Sequence, residues 1–325
     1  MSQHKKIQEL YDLVDEKILR LRKARIVETD PLVLFKLDKQ IEAEEEERRK
    51  IAQEIDNLDS VACSEDLYRA LLKLGYREQV RSFLKFLKAQ SIGAFLIHGL
   101  LDHGQRWLLN RLVTQHIRFG TMGKMVRIEL DRRGRKRDIP TLWRELGRCV
   151  GLGRQHSATE IAERVFQWWK TQNVILVFHD VDCMPEGYLQ ELLHDFWLPL
   201  VSQAREVVSQ TSKYQLLMFL VDYDGCVGCQ DTMFVEQLEP TWEPKIPIKL
   251  PTINPFSTSI LTDWLETVET EFGTLPLVEV INEIDEFVKE ILENSENGVP
   301  ELAFSEICDL CGCNWYEEKK RWLKI

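Results

Sequence analysis

Apolar residues near the start of the chain recur at three- and four-residue steps. Ile7, Tyr11, Val14, Ile18 and Leu21 mark one seam, and Leu34, Leu37, Ile41, Ile51, Ile55 and Leu58 mark a second. This spacing predicts helices over 3–27 and 31–58, each with one apolar stripe. Between them, Thr29 or Asp30 can cap the second helix, and Pro31 fits a first turn where its missing N–H is not needed. So short a connection folds the pair into an antiparallel coiled-coil hairpin. Glu44 and Arg48 interrupt the second seam, inside the run EAEEEERRK over 42–50. The run reads as a solvated face. The polar seam positions and the small apolar area of a narrow hairpin also point to self-association or a partner helix.

Residues 57–64 are polar and break the heptad, and Ser64 can cap a new helix. The stretch over 64–90 then reads as a helical connector jointed at Gly75. Leu67, Leu71 and Leu74 form one stripe, and Val80, Phe83, Leu84 and Leu87 another. It either packs onto the next domain or binds another protein. From residue 91 the pattern changes. Apolar runs at 92–98, 124–130, 174–179, 215–222 and 246–250 are short, nearly continuous and separated by gaps long enough for crossover helices. TLWRELGRCVGL, ATEIAERVFQWWKTQ and YLQELLHDFWLPLVSQAREVVSQ supply such helices. Strands of this kind alternating with helices indicate a parallel sheet covered on both faces over 91–252. Residues 253–325 read as a C-terminal helical subdomain, a small bundle or a winged-helix-like lid. Ser257 can cap its first helix, and Trp264, Leu265 and Val268 can face the sheet domain.

The chain has 325 residues, 44% of them hydrophobic, and a formal net charge of −11. That balance argues against broad nucleic-acid binding, which needs a basic footprint. No run approaches the roughly 18 apolar residues of a membrane span. MSQHKKIQEL lacks the apolar segment of a secretory signal. The eight cysteines are dispersed, so reduced thiols in a cytoplasmic protein are expected.

The first strand runs into Gly99, Leu100, Leu101, Asp102, His103 and Gly104, and then a helix starting near Gln105. G-x-x-x-x-G between a strand and a helix is the outline of a loop that aims backbone N–H groups at phosphates. In such a loop a lysine reaches the β/γ oxygens and a hydroxyl holds Mg²⁺. Here Gln105 stands for the lysine. Arg106 stands for the hydroxyl, and a guanidinium has no lone pair for a metal. The third strand, NVILVFHDVD, has the form of a Walker B strand, with His179 at the metal-side acid and Asp180 at the catalytic acid. Shifted by one, Asp180 becomes the metal-side residue and Val181 replaces the base. Mg²⁺ prefers oxygen, so His179 is a poor substitute. Asp222 ends the fourth strand where a sensor residue would touch a γ-phosphate, and its carboxylate would repel one.

FLIHGLLDHGQRWLLNRL, VILVFHDVD, LLMFLVDYDGC and LPTINPFSTSILTDWLE together resemble a STAND-type P-loop NTPase module, specifically its inactive branch (iSTAND), over roughly 64–325. The N-terminal hairpin resembles helical effector-associated modules. The resemblance implies a five-stranded parallel P-loop NTPase-like sheet with helices on both faces, after a coiled-coil hairpin over 1–60 and before the helical subdomain. It implies a non-catalytic adaptor in bacterial conflict or programmed-cell-death-type signalling, in contact with effector or adaptor proteins through the coiled coil, or self-associating as a homo-oligomer. Active members keep the loop lysine and the Walker acid. Gln105, Arg106 and His179 depart from them, so no cofactor, no metal and a pseudo-NTPase are expected. The alternative is a nucleotide-binding STAND switch with residual ATP binding or hydrolysis. On the scaffold reading, Gln105→Ala should be silent.

Other chemistry stays open at this level. Cys226 and Cys229, with Cys308, Cys311 and Cys313, match zinc spacing, but helical cysteines also serve as small apolar residues. Cys183 with His179 or His194 is a further candidate pair, which lacks an orienting third group. The basic run over 129–140 is an exposed loop or a docking patch for an acidic partner or a nucleic acid. Phe166, Trp168 and Trp169 read as core.

Overall fold

The computed structural model describes residues 3–117, 123–130, 138–153, 156–185, 187–211, 214–227, 233–236, 242–271, 284–323 and 325. The chain divides into two compact units, Met1–Leu71 with Val268–Glu279, and Leu72–Thr267 with Val280–Ile325.

In the first unit α1 (Gln3–Val27) and α2 (Pro31–Leu71) form the expected hairpin. Asp30 is the cap: its Oδ1 accepts the Leu32 N–H at 2.8 Å. Val14, Ile18 and Ile51 form the buried seam, with Ile7 and Tyr11 against it. The polar seam positions pair across the helices. Lys17 meets Glu44 at 2.6 Å and Arg48 meets Asp15 at 2.7 Å, while Arg22 pairs with Glu45 and Arg25 with Asp38. These exposed pairs select the antiparallel register more than they stabilise it, since each is worth about 0–1 kcal/mol. The expected break at 57–64 does not occur, because α2 continues to Leu71 and Ser64 lies inside it. The stretch NLDSVACS contains neither Gly nor Pro, so its weak helix formers stay helical once the helix is propagated from both sides. The side chains of Ile55 and Leu58 lie outside the described residues.

The second unit begins with a sharp joint, where Gly75 and Tyr76 both adopt positive φ. Next come α3 (Arg77–Ala89) and β1 (Ile92–His98), then α4 (Gln105–His116), β2 (Gly123–Glu129), α5 (Ile139–Cys149), α6 (Ala158–Trp169) and β3 (Asn173–His179). One long crossover comes after β3, made of α7 (Tyr188–Glu191), a π-helical segment (Leu192–Trp197) and α8 (Leu198–Thr211). It leads to β4 (Leu216–Asp222) and β5 (Ile248–Lys249). All pairings are parallel and the order is β2-β3-β4-β1-β5. The central strands β1 and β4 are buried along their whole length, which explains their unbroken apolar runs. Edge strand β2 alternates, and β5 is shorter than its apolar run because it pairs with β1 only at Phe95 and Leu96.

One sheet face carries Leu96, Val126, Leu176 and Met218 against α5, α6 and the long crossover. On the other face Phe83 and Phe86 of α3 pack edge-on to Phe95 of β1, at 5.1 and 4.8 Å between ring centroids. Asp138 caps α5, and Ser157 with Glu160 forms a capping box on α6.

The C-terminal helices are α9 (Thr258–Glu271), α10 (Ile284–Asn294), α11 (Pro300–Leu310) and α12 (Trp315–Trp322). Ser257 Oγ accepts the Ile260 N–H, as expected of a cap. The single helix read into FSEICDLCGCNWYEEKKRWLKI is two, because Gly312 takes a left-handed φ of 73° and stops α11.

Candidate functional site

The 99–104 loop leaves the carboxyl end of β1 and enters α4 through Gly104, whose φ of 76° belongs to the region that favours glycine. A Cβ at Gly104 would also collide with the Tyr76 hydroxyl. Tyr76 Oη donates to the His103 carbonyl at 3.2 Å, and His103 Nδ1 lies 2.8 Å from the Ile253 carbonyl. The loop is therefore held from below by the joint before α3 and from the side by the chain after β5.

Its first helical residue completes the closure. Gln105 is 1% exposed, and its side-chain amide donates to the carbonyls of Gly99 and Leu100 at 2.9 and 2.8 Å. The residue at the lysine position points back and binds its own loop. Next to it, Arg106 Nη2 lies 3.0 Å from Glu129 Oε1, and Arg127 also pairs with Glu129. Burial works against the Glu129 charge. The Arg127 hydrogen bond and the Arg127 and Arg106 charges outweigh it and hold the carboxyl below its ordinary range.

His179 ends β3 in register with Glu129 of β2. It is buried, and its Nδ1 lies 2.8 Å from the Tyr223 hydroxyl, with the rings stacked. Burial first, then Arg106 and Arg127, lowers its pKa to about 3. Burial and the two guanidiniums thus favour the neutral imidazole. Asp180 comes next in a left-handed conformation. A cleft of about 340 Å³ opens here, with Gln105, Arg106, His179 and Asp180 in its wall.

Asp222 sits elsewhere than the sequence suggests. It is fully buried, and its carboxylate accepts the N–H groups of Asp224, Gly225 and Val227 at 3.1, 2.7 and 2.9 Å. It shapes the turn after β4 and is not in the cleft wall. Asp182 ties β3 to β4 by accepting the Tyr223 N–H at 2.9 Å.

The C-terminal helices supply the parts that sequence reasoning missed. Glu301, in the first turn of α11, donates its backbone N–H to the Asp102 carbonyl at 2.9 Å. Its side chain meets Lys319 at 2.6 Å and Trp315 Nε1 at 2.9 Å. Trp107 of α4 packs on Phe304, Trp315 and Trp322 at 5.0, 5.4 and 6.2 Å. Helices α11 and α12 are thus seated on the loop and on the helix it opens. The cleft then presents Asp102, Glu129, Asp180 and Glu301 against Arg106 and Lys319. Glu129 is the one acid within the run at 124–130, one residue before its end. Tyr223, Glu301 and Lys319 carried no local signal.

The remaining candidates do not converge. His179 Nδ1 is engaged with Tyr223, while its buried Nε2 has no hydrogen-bond partner among the described residues. His194 Nδ1 lies 2.7 Å from Asp195, and the Cys183 thiol donates to Asp182 Oδ2 at 3.5 Å. Among the described residues no group of His, Cys, Asp or Glu forms a metal site. Cys229 and residues 131–137 of the basic run lie outside the described residues. Trp169 and Phe166 are core, as expected. Among the described residues no helix is long and apolar enough to cross a membrane.

The family model described as inactive STAND matches residues 71–221, from the end of α2 through β4. Solved structures similar to the chain include a Walker-type ATPase of Pyrococcus abyssi, at 14% identity and TM-score 0.41, covering 77% of this chain and 71% of that one. The ORC1 protein of Aeropyrum pernix in complex with DNA matches at 16% identity and TM-score 0.33, over 78% and 64%. Drosophila ORC bound to GC-rich DNA and Cdc6 matches at 11% and 0.33, over 81% and 44%. The chain spans less than two thirds of the last two. No curated protein matches it. The family match supports the inactive STAND resemblance over residues 71–221, and the five-stranded parallel α/β sheet is the expected one.

Proposed function

We propose that this chain is a non-catalytic adaptor of bacterial conflict or programmed-cell-death-type signalling. It works in the cytoplasm and connects sensing to effector modules by protein–protein contacts, made chiefly through the N-terminal hairpin. The observation that carries the non-catalytic half is the closed loop. Gln105 satisfies the carbonyls of Gly99 and Leu100, and the Glu301 N–H takes that of Asp102. A loop held by its own chain needs no phosphate to order it.

The residues at the site do not fit a magnesium nucleotide. Arg106 is matched by Glu129, His179 is neutral, and four carboxylates face two cations across the cleft. A triphosphate entering there would meet net negative potential and lose the charge-assisted bonds, about 1.5–3 kcal/mol each, that a loop lysine supplies. The hairpin supports the binding half. Its turn end exposes Ile26, Val27, Leu32 and Phe35, apolar side chains suited to an effector or adaptor protein.

Titration calorimetry of the whole chain with Mg-ATP, beside a phosphate-release assay, tests the reading. No heat of binding and no released phosphate are expected. Saturable binding, or turnover that disappears in Arg106→Ala, would establish a nucleotide switch in its place.

A further inference from the structure

Helix α11 ends in a Schellman turn, and two cysteines hold its paired positions. The Cys313 N–H donates to the Cys308 carbonyl at 2.9 Å, and the Gly312 N–H to that of Asp309 at 3.0 Å. This motif brings the side chains three residues before the cap and two after it into contact. Hydrophobic residues usually occupy them; here both are thiols. The Cys308–Cys313 backbone bond also bounds their separation. A carbonyl oxygen lies about 2.4 Å from its own Cα and an amide nitrogen about 1.46 Å from its own. Added to the 2.9 Å bond, these place the two Cα atoms no more than about 6.8 Å apart, the outer limit for a disulfide.

The two thiols differ in environment. Cys308 is buried and Cys313 is half-buried. As a thiol, Cys313 donates to the Cys308 carbonyl, with Sγ 3.3 Å from it. As a thiolate it accepts the Cys308 S–H, and that bond favours its charge over the opposing desolvation. The same bond, with burial, keeps Cys308 protonated. Cys313 also lies one residue before Asn314, the cap of α12, so the amino end of that helix offsets the carbonyl end of α11. The exposed Cys226 is the reverse case: burial and then the Asp222, Asp182 and Asp224 charges raise its pKa.

We propose that Cys313 and Cys308 form an oxidisable dithiol site, with Cys313 the thiol that attacks a hydroperoxide and Cys308 the thiol that resolves it. The Cys313 thiolate takes the distal oxygen of the peroxide, breaking the O–O bond. The departing alkoxide or hydroxide picks up a proton and leaves as alcohol or water. Cys313 is then a sulfenic acid. The Cys308 sulfur attacks the Cys313 sulfur and expels hydroxide, which leaves as water with the Cys308 proton. Two thiols have lost two electrons to one peroxide. The bridge pins the end of the helix whose first turn holds the 99–104 loop. This chemistry does not depend on the nucleotide reading.

The test treats the full chain with hydrogen peroxide, blocks remaining thiols by alkylation and maps tryptic peptides without reductant. One peptide, residues 290–319, contains all three C-terminal cysteines. It should lose the mass of two hydrogens, with Cys311 alone alkylated. Closure should run at least about tenfold faster than oxidation of the exposed Cys149 and Cys226, because thiolate character outweighs exposure. Cys311→Ser should still close. Cys308→Ser and Cys308→Ala should halt at a Cys313 sulfenic acid that a cyclic diketone labels. A bridge that includes Cys311, or Cys226 oxidising first in the unmutated chain, would overturn the assignment.

Discussion

Replacing Gln105 by alanine removes the two bonds that close the 99–104 loop. Each is a neutral N–H···O contact of ordinary length, 2.9 Å to Gly99 and 2.8 Å to Leu100. The net worth of such a bond is about 0.5–1.5 kcal/mol, and a buried carbonyl left without its donor pushes the loss toward the upper end. Truncation also removes buried side-chain volume, since Gln105 is 1% exposed. The expected loss of unfolding free energy is therefore about 2–3 kcal/mol. The expectation that Gln105→Ala is silent therefore does not hold for stability, because the buried amide holds two loop carbonyls. Urea unfolding observed by tryptophan fluorescence measures it. With a slope of about 2–3 kcal/mol/M for a chain of this size, the midpoint should fall by about 1 M at unchanged slope. Gln105→Glu sharpens the test. It keeps the shape, but an ionised carboxylate only accepts, so it faces two carbonyl oxygens with repulsion in place of two bonds. Glutamate should therefore destabilise more than alanine. If Gln105→Glu proves as stable as the unmutated chain, or Gln105→Ala shifts the midpoint by less than about 0.2 M, the loop is not held by this side chain.

The same region yields two further outcomes. The His179 pKa is about 3 in the fold, against 6.5 for an unperturbed imidazole. The unfolded chain binds the proton first, so the contribution is complete above about pH 6.5 and is lost as pH falls toward 3. Between pH 7.5 and 5.5 this residue alone should remove about 1.4 kcal/mol, read from urea midpoints at the two pH values. A flat profile would contradict the buried neutral imidazole. Gly104→Ala introduces both a left-handed alanine and a collision with the Tyr76 hydroxyl. It should destabilise by about 2–4 kcal/mol, whereas Gly151→Ala, with positive φ but open space around it, should lose only about 1 kcal/mol in a thermal melt.

Periodicity carried the hairpin and the sheet because each depends on burial at a repeat that the chain spells out locally. The seam through Val14 and Ile18 and the runs that became β1 and β4 are of this kind. So is the junction at Gly104, where a strand must turn into a helix and only glycine accepts the geometry easily. Residue type alone removed the metal hydroxyl at Arg106 and put an imidazole at the end of β3. What those side chains do was decided by the tertiary structure, because their partners are remote in sequence. Arg106 is matched by Glu129 from the edge strand β2, separated from β1 by two strands, and Asp222 turns away to cap its own loop. Glu301 arrives from a helix near the far end of the chain to close a loop that belongs to its first third. Hydrogen bonds and ion pairs form between whatever groups the fold brings within reach, and that distance is not written in any local pattern.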